Sequence, residues 1–102
     1  MEKITVFIGL NDKDSKKQEV SFSEAFSLLT QYITKCVGIG TLSEAAGVYT
    51  HENGQVVSER TIRAEFYTEN KEPVFEFVRF AKSILNQESI AVEVTKPEIQ
   101  FI

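Results

Sequence analysis

Residues 41–67 read TLSEAAGVYTHENGQVVSERTIRAEFY, and the way this stretch turns back on itself decides the fold. Asn53-Gly54 can take the two positive φ values of a tight type I′ turn, so a β-hairpin with those residues at its centre is expected. In that register Glu52 faces Gln55, Val48 faces Glu59, Ala46 faces Thr61 and Glu44 faces Arg63. The last pair sets opposite charges across from each other on one sheet face, which supports the alignment. A bulge near Gly47 is the feature that would upset it.

Upstream, residues 3–10 place Ile4, Val6 and Ile8 on one face and Thr5 and Phe7 on the other, the period of a strand. Asn11 to Glu19 is polar and reads as an exposed loop. Ser21-Phe22-Ser23-Glu24 is a capping box, and Phe22, Ala25, Phe26, Leu29, Ile33, Cys36 and Val37 recur at helical spacing behind it. A helix over about residues 22–37 follows, with Gly38 as its stop and Cys36 as a small core residue.

Downstream of the hairpin, Pro73 suits the first turn of a second helix, where its missing amide would have had no partner. Val74, Phe77, Val78, Ala81, Ile84 and Leu85 form its apolar stripe. Ser89 to Thr95 alternates as a last strand, and Pro97 then leads into the tail Ile99-Gln100-Phe101-Ile102. The order β-α-β-β-α-β is that of a ferredoxin-like two-layer α+β sandwich, an antiparallel sheet with both helices on one face, built from residues 1–102 as a single domain. Alternation then leaves Thr5, Phe7, Glu44, Ala46, Val48, Glu59, Thr61, Arg63, Glu65, Tyr67, Ala91, Glu93 and Thr95 on the open face.

Charge narrows the function classes. Eleven basic residues against fifteen acidic ones give a net charge of −4, and the basic residues are scattered, so nucleic-acid binding by backbone neutralisation is not expected. Lys13, Lys16 and Lys17 share their segment with Asp12, Asp14 and Glu19 and read as a solvated loop. No apolar run is long enough to cross a membrane and no leader is apparent, so a cytoplasmic protein is expected. Cys36 is the single cysteine, which excludes an internal disulfide and a structural zinc site.

Few residues point to chemistry. His51 is the only histidine; at the hairpin tip it has the ring of a general base, weighed against an exposed turn residue. No cofactor is expected, because no second His or Cys stands at ligand spacing. Gly38-Ile39-Gly40 follows a helix, whereas a phosphate-binding turn precedes one. Glu59, Arg63 and Tyr67 alternate on the open face and are the first candidates for holding a small polar ligand, weighed against a cross-strand ion pair beside an ordinary aromatic.

The segments Phe7-Ile8-Gly9-Leu10, Gly47-Val48-Tyr49 with Gly54-Gln55-Val56-Val57-Ser58-Glu59, and Gln87-Glu88-Ser89-Ile90 together resemble the bacterial family designated domain of unknown function 3574. The resemblance runs over nearly the whole chain and brings with it no activity, cofactor or ligand.

Phe7, Val48, Ala46, Ala91 and the methyl groups of Thr5, Thr61 and Thr95 are expected to make an apolar area bordered by charge, of the kind that marks an interface. The leading expectation is a non-catalytic module that associates with a second copy or another protein through this face, with room for a small ligand between subunits. The alternative is a small enzyme of the dimeric α/β-barrel type, with Tyr49, His51, Glu59 and Arg63 as the groups to test.

Overall fold

Ile4, Val6 and Ile8 are fully buried while Phe7 between them is 42% exposed, so the first strand turns one face to a core and the other outward. The computed structural model describes residues 1–102. Its elements are β1 (Glu2–Gly9), α1 (Phe22–Tyr32) with a π-helical turn at Ile33–Val37, β2 (Thr41–Thr50), β3 (Val56–Thr68), α2 (Glu72–Ile84) and β4 (Ala91–Thr95). The four strands form one antiparallel sheet in the order β2-β3-β1-β4. The fold is α+β and ferredoxin-like, as the element order implied.

The core lies between the sheet and the two helices. Ile62, Ala64 and Phe66 of β3 join the β1 residues beneath Ala25 and Leu29 of α1 and Val74, Phe77 and Ala81 of α2. Phe66 and Phe77 meet edge to face at 5.4 Å between ring centroids, the arrangement the ring quadrupoles favour. No helix is long and apolar enough to cross a membrane.

α1 begins as expected, with the Ser21 hydroxyl accepting a hydrogen bond from the Glu24 amide at 3.2 Å. It ends differently. The helix widens to a π turn from Ile33, which changes the angle per residue and turns Cys36 outward; the thiol is exposed rather than packed in the core. Gly38, at φ 99°, then stops the helix in the left-handed region.

The hairpin corrects the expected register. Gly54 has φ 84° but Asn53 does not have a positive φ, so a type I′ turn is excluded. Instead the Gly54 amide donates to His51 O at 2.9 Å and the His51 amide to Gln55 O at 2.8 Å. Glu52, Asn53 and Gly54 make a three-residue loop, a type I turn closed by a glycine bulge. The added residue slides β2 by one position against β3: Val48 now faces Ser58, Ala46 faces Arg60 and Glu44 faces Ile62.

Because side chains alternate, that slip moves Glu44, Ala46 and Val48 to the helix side of the sheet. Ser43, Ala45, Gly47 and Tyr49 take their places on the open face, opposite Arg63, Thr61, Glu59 and Val57. The expected pair of Glu44 with Arg63 is absent. Glu44 accepts from Arg60 at 2.8 Å, with the Arg60 guanidinium 4.5 Å from the centroid of the Phe22 ring, and Arg63 pairs with Glu65 at 3.2 Å.

The molecule measures 47 × 26 × 22 Å. β3 alone spans about 43 Å at the usual strand rise, and the far end of the hairpin leaves Val48, Tyr49 and Val56 exposed. β2 and β4 are the sheet edges. β2 has ten residues, of which only Glu44 is charged and none is lysine or proline.

Candidate functional site

The most chemically varied recess in the molecule opens where β1 ends. Gly9 is the last residue of that strand, and the Glu59 side chain lies across it: a Cβ built on Gly9 would sit 2.6–2.8 Å from the Glu59 carboxylate atoms. Gly47 lies opposite Glu59 on β2, where a Cβ would meet Glu59 Cγ in ordinary contact at 3.5 Å and press more closely on Thr61 Oγ1 at 3.1 Å. The space over Gly9 thus makes a slot for one carboxylate. The Asn11 amide closes it by donating to Glu59 Oε2 at 3.0 Å.

Around this carboxylate is a recess of about 380 Å³, within the size range of small-molecule sites. Tyr49 and His51 form its hairpin wall, their rings edge to face at 5.4 Å. Asn11, Asp12, Lys13 and Lys16 form the loop wall. Gln87, Glu88 and Ser89, which follow α2, complete it.

The loop wall is fixed in place. Asp12 Oδ1 accepts from the amides of Asp14 and Ser15 at 2.8 and 3.0 Å. Asn86 Nδ2 donates to Asp12 at 3.0 Å and to Asp14 at 2.8 Å. These donors favour the ionised form and hold the Asp12 carboxyl below its ordinary pKa, the Ser15 amide acting most strongly and the Asn86 amide next.

Asn86 has φ 47° and ends α2. Its amide donates to Ser83 O at 3.3 Å and that of Gln87 to Lys82 O at 3.0 Å, the paired bonds of a Schellman stop. One residue therefore terminates the helix and anchors the loop beside the recess.

The candidates named from sequence fall into separate groups. Tyr49, His51 and Glu59 come together in the recess. Phe7 sits mid-face between Arg63 and Ala91. Tyr67 lies near the other end of β3, with Lys3 Nζ 5.8 Å from its ring centroid. Glu59 and Tyr67 are eight residues apart on one strand, about 27 Å, so Glu59, Arg63 and Tyr67 do not converge on one ligand.

Val48 belongs to the opposite face because of the register slip, and it is 69% exposed there. Thr61 and Thr5 stay on the open face but are 7% and 8% exposed, so their methyl groups add little to any patch. Thr5 is flanked in register by the longer Glu65 and Glu93.

Sequence reading missed Asn11, whose backbone holds Glu59, and the part Gln87 plays. The available signal was the set of short segments quoted above, because Gly9, Gly47, Tyr49, Glu59 and Gln87 to Ser89 come from those segments and gather here. A second recess of about 370 Å³, between Phe26, Thr30 and Thr34 and the Gly38–Gly40 turn, has no titratable lining group.

No family model matches the chain, and no curated protein matches it. Solved structures do. The chain is similar to a phage SAM lyase in complex with S-methyl-5′-thioadenosine, with a TM-score of 0.66 and 21% identity over 93% of this chain and 80% of that one. A phage SAM lyase in its apo state gives 0.65 and 20% over 92% and 78%. A point variant of CutA1 from Pyrococcus horikoshii OT3 gives 0.58 and 15% over 96% and 86%. At these identities the likeness establishes the shared fold.

Proposed function

We propose that this chain is a self-associating domain that binds a small nucleoside, of the S-methyl-5′-thioadenosine kind, in the recess around Glu59. The observation that carries the reading is the seating of the Glu59 carboxylate on Gly9, within a recess that also presents Tyr49 and His51. A planar base gains about 1–3 kcal/mol by stacking on an aromatic ring, whichever base it is, and a fixed carboxylate accepts hydrogen bonds from sugar hydroxyls. The nucleoside held by the phage SAM lyase of the same fold supports this choice of ligand. The resemblance to domain of unknown function 3574 belongs to the same proposal, since the segments that carry it border the recess.

Self-association through the open face is supported by Phe7 and Tyr67, large residues left 42% and 36% exposed on it. The uncovered edge of β2 offers further unpaired backbone to a second copy. A cytoplasmic setting fits a lone, exposed thiol.

The test combines calorimetric titration of S-methyl-5′-thioadenosine with light scattering after size exclusion. Saturable binding that Glu59→Gln weakens at least about tenfold, the order expected for a charged hydrogen bond, and an oligomer that Phe7→Glu dissociates are the expected results. A monomer at high concentration that shows no titration defeats the proposal.

A second reading, an enzyme acting on the bound nucleoside, is favoured by the same carboxylate, since Glu59 lies within one recess with Tyr49 and His51. Incubation with S-adenosylmethionine, followed by chromatography for S-methyl-5′-thioadenosine, separates it from binding alone. Product formed by the native chain and lost in Glu59→Gln supports the enzyme.

A further inference from the structure

Gln87 is 8% exposed, and its side chain has only one way to lie. Its Nε2 donates to Asn11 O at 2.8 Å and to Leu85 O at 3.2 Å. Both neighbours are carbonyl oxygens, so only the nitrogen end of the amide can face them, and both of its hydrogens are engaged. The Oε1 end has no hydrogen-bond donor within the chain. No buried side-chain polar atom in the structure lacks a partner, so Oε1 reaches solvent, and Gln87 is part of the recess wall.

Glu59 stands in the complementary relation to the same backbone residue. Asn11 gives its amide to Glu59 Oε2 at 3.0 Å and receives the Gln87 amide on its carbonyl at 2.8 Å. The two side chains are thereby both held by the backbone of one residue, Glu59 through its amide and Gln87 through its carbonyl. Each has a second oxygen, Glu59 Oε1 and Gln87 Oε1, that accepts nothing from the chain. Both side chains line the recess and are held by Asn11, and neither of these two oxygens accepts a hydrogen bond within the chain.

We infer that Glu59 and Gln87 together read a pair of adjacent hydroxyl groups, the 2′,3′-diol of a ribosyl ligand, and that Gln87 is the residue that sets this specificity. Two free acceptors held by one residue call for two donors carried on one ligand. Lys13 and Lys16 line the same recess, and their charge disfavours a guanidinium or a diamine as the donor group while leaving a neutral diol unaffected. A site with oriented acceptors discriminates strongly against an analogue that lacks the hydroxyls, because the acceptors are then left without partners. This inference rests on the nucleoside reading above and specifies which part of the nucleoside is recognised.

The experiment compares adenosine with 2′,3′-dideoxyadenosine by calorimetric titration of the native chain and of Gln87→Met, which keeps the length and removes the acceptor. The native chain is expected to prefer adenosine at least about tenfold, in line with one lost hydrogen bond to a charged group, and Gln87→Met to reduce that preference severalfold. Circular dichroism melting accompanies both, because Gln87→Met also frees the Asn11 carbonyl; the native chain's own preference tests the assignment even if the variant unfolds. Equal binding of both probes by the native chain overturns the hydroxyl assignment and leaves the nucleoside reading standing. Binding of neither overturns the nucleoside reading and this inference with it.

Discussion

The Glu59 carboxylate occupies the space that a side chain on Gly9 would need, with its atoms 2.6–2.8 Å from the position of a Cβ there. The displaced group is the far end of a flexible side chain, so the strand itself has no reason to break. Gly9→Ala is expected to change unfolding free energy by no more than about 1 kcal/mol and to weaken nucleoside binding about tenfold by moving Glu59 off the Asn11 amide. Urea denaturation and calorimetric titration of the same variant check the two halves separately.

Asp12 is held ionised by its three hydrogen-bond donors, so its pKa in the folded chain lies below the usual 3.8. A carboxylate with a depressed folded pKa stabilises the fold above its unfolded pKa, and that contribution is lost as pH falls through the folded value. The loop at residues 11–18 is expected to loosen below about pH 4. In Asp12→Asn the loop is loose already at neutral pH and gains no further mobility from this group on acidification. Amide hydrogen exchange at Asp14 and Ser15, followed from pH 6 to pH 3, reports the difference.

Much of this architecture was legible in the sequence, and the failures have identifiable causes. The burial of Ile4, Val6, Ile8 and Ile62 and the exposure of Phe7 follow from alternation alone. The register of β2 did not follow, because Asn-Gly is compatible with both a two-residue and a three-residue loop. The choice depends on whether Asn53 itself takes a positive φ. That single residue displaced Val48 from the open face and put Tyr49 on it. Cys36 was misplaced because a π turn leaves no mark on helical spacing. The recess escaped because it is made by Asn11, Glu59 and Gln87, which are distant in sequence and joined through a backbone amide and carbonyl that no residue pattern records.

The three-residue loop makes its own prediction. Gly54 has a left-handed backbone and Asn53 does not, so Gly54→Ala is expected to cost about 1–2 kcal/mol. Asn53→Ala loses only the hydrogen bond from the Gln55 amide to its side chain at 2.9 Å, about 1 kcal/mol or less. Comparable costs at both positions, measured by denaturant unfolding, would point back to a type I′ turn.

Phe77 is fully buried against Phe66. Phe77→Ala is expected to cost about 3–5 kcal/mol, a large share of the stability of a chain this short, and calorimetric melting of the variant checks it.

Strand order also dictates when the recess can exist. β1 is central, yet its partners are β3 and β4, and the pairing of Gly9 with Thr61 spans more than half the chain. As the polypeptide leaves the ribosome, its first strand must wait, apolar and unpaired, until the hairpin has been made. Gly9 and Asn11 can meet Glu59 only at that late step, so the recess does not exist until the sheet is closed.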